Sequence, residues 1–355
     1  MTLAIWGAGA IGGTIGAYLA RAGYDVTLID AHEAHVTAIR EHGLKIVGPI
    51  ASFTTPVRVV TPAELEGTFD TILLCVKAQA TEAALDQLTP HLSEDGAVVS
   101  VQNGLNEIAI ARRVGEAHTV GAFVNFGADV LEAGTVQYAG RGAFVLGELD
   151  GRRSERVDRL ADALHAFEPE VQISDNLWGF LWGKMGYGAM LFASALSDDA
   201  IADVLDAAEA RPILIALAGE VLAVAAAERV RPMGFNGFDP VAFGPYGTAP
   251  ARDASFAEMV AFNRRSAKSH SGVWRDLAIH KRPTEVRAQF DPIVDAAERH
   301  GVDVPAIRRL VDLMLQVESG VRPQSWATMM ELADAVPATG REGGPEAGRP
   351  EGSPA

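Results

Sequence analysis

The chain has 355 residues, 48% of them apolar, and a formal net charge of -16. That length favours two domains over one, and the apolar fraction is enough to build sizeable cores. An acidic chain with no basic run repels nucleic acid and anionic membranes, so neither is expected as a partner.

The opening residues, Met1-Thr2-Leu3-Ala4-Ile5-Trp6, lack a basic region and run straight into glycines. This argues against a leader and predicts a cytoplasmic protein. The first part of the chain alternates short β-type runs with helical stretches, the pattern of a parallel α/β sheet. Strands are predicted at Leu3–Trp6, Val26–Ile29, Val57–Val60, Ile72–Val76 and Val98–Val101, with weaker candidates at Val120–Val124 and Phe144–Leu146. Cys75, the one cysteine, lies in the fourth run, where it reads as a small core residue. No Cys/His cluster has metal-ligand spacing, so no metal is expected.

Further on, the pattern changes to helical periodicity. Ile213, Leu217, Val221 and Val224 share one face, as do Ile307, Leu310, Val311 and Met314. The most apolar of these stretches, Ile213 to Ala227, is too short to span a bilayer and contains Glu220. Pro232 to Pro250, rich in Gly, Pro and Phe, reads as a loop. The fold expected is α/β: a Rossmann domain with a parallel sheet over residues 1–168, then an all-helical substrate and catalytic domain over 169–330. Residues 336–355 hold too few apolar side chains to pack, which predicts a disordered tail.

Gly7-Ala8-Gly9-Ala10-Ile11-Gly12 follows the first strand and opens a helix. In such a loop Gly7 permits the tight turn, Gly9 lets the backbone approach a pyrophosphate, and Gly12 lets helix and strand pack closely. Ala10 and Ile11 bring the free N–H groups of the helix start. The second strand ends at Asp30, 18 residues beyond Gly12, where a carboxylate accepts hydrogen bonds from ribose hydroxyls and repels a 2′-phosphate. No Arg or Lys follows in Ala31-His32-Glu33-Ala34. The cofactor expected is therefore NAD, with NADP the alternative.

Several separated motifs follow. They are Cys75-Val76-Lys77-Ala78, Val101-Gln102-Asn103-Gly104, Leu181-Trp182-Gly183-Lys184, and Ser271-Gly272-Val273-Trp274-Arg275-Asp276 ahead of Lys281-Arg282-Pro283-Thr284-Glu285. In this order the chain resembles the ketopantoate reductase family from Met1 to about residue 320. Members of that family reduce a 2-keto acid, usually with NADPH, in a cleft between a Rossmann domain and a helical domain. The resemblance thus implies that fold and a hydride transfer between NAD(P)H and a carbonyl/alcohol pair.

Lys77 and Asn103 end strands at the carboxyl edge of the sheet, where such folds bind ligands. Taken alone, Lys77 is as easily a surface lysine and Asn103 a turn residue. The resemblance implies that Asn103 contacts substrate and nicotinamide. Lys184 sits in a stretch otherwise too apolar to carry an idle charge, and reduction of a ketone needs a proton donor where negative charge develops on oxygen. Desolvation lowers a lysine's pKa and suits it to that role. The resemblance implies that Lys184 is the catalytic acid, that Glu285 orients it and the substrate, and that Ser271 contacts the substrate carboxylate. The Lys268–Ser271 segment is rich in donors.

The chain departs from the family in two respects. Asparagines usually follow the catalytic lysine one and two turns later; here the residues are Gly188 and Phe192. Both are expected to line the substrate pocket and make it roomier and more apolar, leaving open the choice between a redirected reductase and an authentic 2-dehydropantoate 2-reductase. Asp30 is the second departure. A non-catalytic NAD-binding sensor would need neither Lys184 nor Glu285. The partner expected is a small carbonyl or alcohol, and large apolar helices are compatible with a homodimer.

Overall fold

The computed structural model describes residues 1–266 and 269–336. The tail read as disordered lies, but for Val336, outside the described residues, as do Ala267 and Lys268.

The strands are β1 (Leu3–Trp6), β2 (Val26–Ile29), β3 (Leu44–Val47), β4 (Phe53–Thr55), β5 (Arg58–Val60), β6 (Phe69–Leu74), β7 (Leu92–Ser100), β8 (Thr119–Val124), β9 (Gly127–Glu132), β10 (Thr135–Gly140), β11 (Phe144–Glu148) and β12 (Val171–Ile173). Eight of them form one sheet in the order β12-β11-β8-β7-β6-β1-β2-β5. Its pairings are parallel apart from the antiparallel β8–β11 ladder. Every residue of β1 and β2 is buried, as expected for strands covered on both faces. The chain moves from β1 to β2 on one side and to β6 on the other, so the crevice beyond the carboxyl end of β1 is a topological switch point.

A second, four-stranded sheet, β4-β3-β10-β9, was not predicted. Its strands are short or carry polar residues without strict alternation, as in Phe53-Thr54-Thr55, so they gave no period-two signal. This sheet covers α1 (Ala10–Arg21), whose other side packs on β1 and β2. A helix between two sheets must be slim on several sides. Gly16 lies where a Cβ would press 2.5 Å from Leu28, and Gly13 where one would meet Val136 at 3.3 Å. The remaining helices of the first domain are α2 (Glu33–His42), α3 (Thr81–Leu88), α4 (Glu107–Val114) and α5 (Glu155–Leu164).

The helical domain comprises α6 (Leu177–Ser194), α7 (Ile201–Asp206), α8 (Arg211–Ala227), α9 (Pro240–Phe243), α10 (Ala249–Arg265), α11 (Gly272–Ala278), α12 (Val286–His300), α13 (Pro305–Glu318) and α14 (Trp326–Met330). Residues 232–250, read as a loop, contain the one-turn α9 and the start of α10. The boundary read at 168 falls short of the last strand of the large sheet. β12 pairs with β11 in register Phe144↔Val171, so the sheet runs to Ile173 and the helices begin at Leu177. Three residues, Val171-Gln172-Ile173, are too few to show a strand period.

The domains share buried contacts. Phe123 and Val145 of the sheet belong to the same apolar core as α6 and α8. Among the described residues no helix is long and apolar enough to cross a membrane.

Candidate active site

The glycine loop forms as its composition requires. Gly7 has φ +99°, in the left-handed region, and a Cβ there would come within 2.8 Å of the Val76 nitrogen. At Gly12 a Cβ would lie 2.1 Å from the Gly7 carbonyl. Gly9 differs: a Cβ there would meet nothing within 4 Å. Gly9 is also the N-cap of α1 and gives no side-chain cap, so the helix start presents bare N–H groups to that open space. Residues present thus fit a dinucleotide pyrophosphate.

The loop is braced at Ala8. The Asp30 carboxylate accepts a hydrogen bond from the Ala8 N–H (2.8 Å) and another from the His32 N–H (2.9 Å). The buried His35 accepts from the Gly134 N–H at Nδ1 (3.0 Å), so its Nε2 carries the proton and donates to the Ala8 carbonyl (3.0 Å). Asp30 therefore supports the loop as well as ending the second strand.

Beyond the loop, a cavity of about 330 Å³ lies between the domains. The first domain contributes Ala10, Lys77 and Asn103; the second contributes Lys184, Gly188, Phe192, Ser271 and Glu285. The expected residues Gly7, Gly9, Ile11, Gly12 and Asp30 lie around the glycine loop, outside this lining.

Lys184 enters from the inward face of α6. Its Nζ donates to the Val124 carbonyl at the end of β8 (2.7 Å) and stands 5.4 Å from the centre of the Phe123 ring. Burial lowers its pKa to about 8, while the negative charges of Glu107 and Glu285 oppose that fall. Glu285, at the N-terminus of α12, accepts a hydrogen bond from the Ala78 N–H across the cleft (2.7 Å). Its pKa is raised by burial, against the pull of that hydrogen bond and of Lys77 and Lys184.

Ser271 caps α11, its Oγ accepting from the Trp274 N–H (3.1 Å). Lys77 is not a free surface lysine: it pairs with Asp276 (2.5 Å). Gly188 faces open space, with nothing within 4 Å of a built Cβ. Phe192 both lines the cavity and packs edge-on against Phe290, ring centres 5.0 Å apart, with 3% exposure. Among the described residues no group of three His, Cys, Asp or Glu could hold a metal. Burial pushes the Cys75 thiol well above its ordinary pKa, which makes it unreactive.

Residues 3–151 match the family described as "Ketopantoate reductase PanE/ApbA", and residues 177–318 match its C-terminal partner, "Ketopantoate reductase PanE/ApbA C terminal". The chain belongs to the ketopantoate reductase family. It is 30% identical over 325 residues to the 2-dehydropantoate 2-reductase of Halobacterium salinarum, covering 88% of this chain and 98% of that one. The enzyme of the same name from Archaeoglobus fulgidus is 30% identical over 318 residues, with coverage of 89% and 98%. Among solved structures, a ketopantoate reductase of this family from Ralstonia eutropha JMP134 superposes with a TM-score of 0.76 at 27% identity, covering 90% of this chain and 99% of that one. D-mandelate dehydrogenase with NADH and anilino(oxo)acetate superposes with a TM-score of 0.78 at 24% identity, with coverage of 90% and 99%, a likeness of fold. The protein is a ketopantoate-reductase-like, NAD(P)-dependent oxidoreductase acting on a keto or CH–OH group.

Sequence reasoning missed three contributors to this cleft. Arg275 lines the cavity and pairs with Asp129 of β9; Asp276 holds both Lys77 and Arg282. Asp129 belongs to the unpredicted sheet, so no signal marked it. Glu107, outside the cleft lining, also went unmarked: it sits in the first turn of α4, where an acid reads as a helix-dipole partner. Its side chain is instead fully buried.

Proposed function

We propose that the protein transfers a hydride between NAD(H) and a 2-keto acid or related ketone whose side chain is bulkier or more apolar than that of ketopantoate. The observation that carries this reading is the position of Lys184. Its ammonium stands in the interdomain cavity with Glu285, Asn103 and the glycine-loop residue Ala10, while Gly188 and Phe192 of the same helix face that cavity with no hydrogen-bonding side chain.

When bound, the reduced nicotinamide supplies the hydride. Lys184 Nζ holds the proton for the oxygen on which charge develops, and leaves the Val124 carbonyl to deliver it. Burial favours its loss of a proton near neutral pH, which matches acid strength to the task. Glu107 and, less strongly, Glu285 favour the charged lysine in the resting site, and Glu285 is itself fixed by the Ala78 N–H. Asn103, exposed at the end of β7, offers an amide to substrate and nicotinamide. Ser271 and Arg275 provide donors for the carboxylate of a 2-keto acid. Asp30 favours a free ribose over a 2′-phosphate.

The family match favours a second reading, an authentic 2-dehydropantoate 2-reductase. Steady-state assays with NADH and NADPH against ketopantoate, 2-oxo-3-methylbutanoate and phenylglyoxylate separate the two. A higher kcat/KM for phenylglyoxylate with NADH supports the proposal. Ketopantoate as clearly the best substrate overturns it in favour of the second reading.

A further inference from the structure

Glu107 is 0% exposed, and neither of its carboxylate oxygens has a hydrogen-bond partner among the described residues. Nearly all buried polar atoms are partnered, so a whole carboxyl left bare calls for a reason. Its position supplies one. Gly121 of β8 leaves a gap on the sheet that Leu177 and the Glu107 side chain share: a Cβ at Gly121 would lie 2.2 Å from the Leu177 Cδ2, 3.2 Å from the Glu107 Cγ and 3.3 Å from its Oε1. Phe123, two residues along β8, projects from the same face and carries Lys184 over its ring. Glu107 and Lys184 therefore rest on one strand face, over positions two residues apart in β8. Glu107 acts on the lysine's charge more strongly than Glu285 does.

Glu107 also borders a second, separate cavity of about 390 Å³, lined as well by Ala111, Arg112, Glu116, Asp150 and Trp178, although none of its own surface is exposed. Arg112, Glu116 and Asp150 are exposed, so this cavity opens to solvent away from the interdomain cleft. Substrate and cofactor in the cleft would seal Lys184 from water. The outer cavity stays open.

We propose that Glu107 returns the proton to Lys184 after each reductive turnover, drawing it from solvent through the outer cavity. The inference rests on Lys184 as the proton donor. The lysine ammonium gives its proton to the substrate oxygen and becomes a neutral amine. The Glu107 carboxylic acid then passes its proton to that amine, directly or through one water, and becomes a carboxylate. A water-borne proton from the outer cavity restores the acid. Charge and protons balance with solvent as the net source. Burial raises the Glu107 carboxyl to about pKa 7, close to the value of about 8 for Lys184, so the exchange is nearly level and runs toward the lysine. The Ser100 hydroxyl is close enough to favour the ionised acid yet outside hydrogen-bond geometry. Arg112, Glu116 and Asp150 are the charged groups on the outer side, and Glu285 faces the lysine on the inner side.

The test compares the wild-type holoenzyme with Glu107→Gln and Glu107→Asp, using whichever of ketopantoate, 2-oxo-3-methylbutanoate and phenylglyoxylate turns over fastest. In Glu107→Gln the first turnover per site should keep its rate, because the lysine starts protonated. Steady-state kcat should fall about tenfold with KM unchanged. Glu107→Asp, which keeps an acid, should recover part of the loss. A readout without substrate runs alongside: the infrared band of a protonated carboxyl should titrate near neutral pH in the wild type and be absent from Glu107→Gln. Wild-type kcat from pH 6 to 9 in Glu107→Gln, or no such band, overturns the relay. If Lys184→Ala is impaired while Glu107→Gln is not, the relay alone fails. If Lys184→Ala is unimpaired, the reading of the lysine fails and the relay with it.

Discussion

Lys77 and Asp276 are 199 residues apart in the chain and 2.5 Å apart in space. The Asp276 carboxylate is nearly enclosed, at 8% exposure, and also holds Arg282 (2.7 Å). One acid of the helical domain thus binds a lysine of the Rossmann domain across the cleft mouth. Asp276→Ala should cost about 2–3 kcal/mol of stability, because two cations lose their partner in a partly buried site. Lys77→Met should cost about 1 kcal/mol or less, since the lysine is half-exposed and Asp276 keeps Arg282. Urea unfolding of both variants checks the order. A Lys77 variant less stable than the Asp276 variant contradicts the view of the acid as the hub.

Lys184 gives the reaction a pH signature. With its pKa near 8, the ammonium is lost as pH rises through that value, so carbonyl reduction should fall about tenfold per pH unit above 8. Alcohol oxidation needs the neutral amine and should rise over the same range. Lys184→Ala should lower kcat for reduction by roughly 10²–10⁴ and leave the cofactor Kd nearly unchanged. Near-normal turnover in Lys184→Met would place the acid elsewhere.

Much of this site was legible before any coordinates. Strand-adjacent glycines, the acid closing β2, and a lone lysine in an aromatic stretch each state a physical need, and the cavity gathers Lys77, Asn103, Lys184, Ser271 and Glu285 from five separate segments. What stayed hidden depends on long-range packing. Asp129 reaches the cleft only because a short, irregular second sheet folds over α1. Nothing in the sequence set Glu107 apart from other first-turn acids; its burial depends on packing with Leu177 against Gly121. Asp30 was read for ribose alone; its bond to the Ala8 N–H requires the loop's tertiary position.

That bond makes Asp30 a double agent in cofactor binding. NADH should bind tenfold to a hundredfold more tightly than NADPH, about 1.4–2.7 kcal/mol. Asp30→Ala should erase most of that preference. It should also weaken both cofactors, because the Ala8 N–H loses its acceptor and the loop loosens. Fluorescence titration with both reduced cofactors reads the two effects separately. Unchanged NADH affinity in Asp30→Ala would deny the bracing role.

Glu107 should leave a mark on stability. Its folded-state pKa, about 7, lies above the ordinary value of 4.5. The folded protein therefore keeps a proton that the unfolded chain releases between pH 4.5 and 7. Stability from this group is full below about 4.5, is lost as pH rises to about 7, and stays lost above it. The difference is on the order of 3 kcal/mol. Glu107→Gln, which cannot ionise, should match the wild type at pH 5 more closely than at pH 8, where it should be the more stable protein. Parallel pH–stability curves for the two would show that Glu107 does not titrate in this window.

Gly188 tests the shape of the pocket. It faces the cavity one turn beyond Lys184, with nothing within 4 Å of the position a Cβ would take. Backbone terms favour filling it: Ala in a helix interior is better than Gly by about 1 kcal/mol. Gly188→Ala should therefore be at least as stable as the wild type, and any loss of activity must come from lost space. Its kcat/KM for phenylglyoxylate should fall more than that for 2-oxo-3-methylbutanoate. Gly188→Asn goes further by placing an amide one turn beyond Lys184, where the family resemblance leads one to expect it. It should raise kcat/KM for ketopantoate, whose hydroxyl gains a partner, by roughly tenfold, the worth of one well-made hydrogen bond to a neutral group. Phe192 does not offer the same experiment, because its ring is packed against Phe290 at 3% exposure and truncation would cost about 3–5 kcal/mol of core packing. If Gly188→Asn lowers all three substrates equally, the open space beside Lys184 serves cofactor closure or helix packing, and specificity must be sought on the opposite wall, at Ser271 and Arg275.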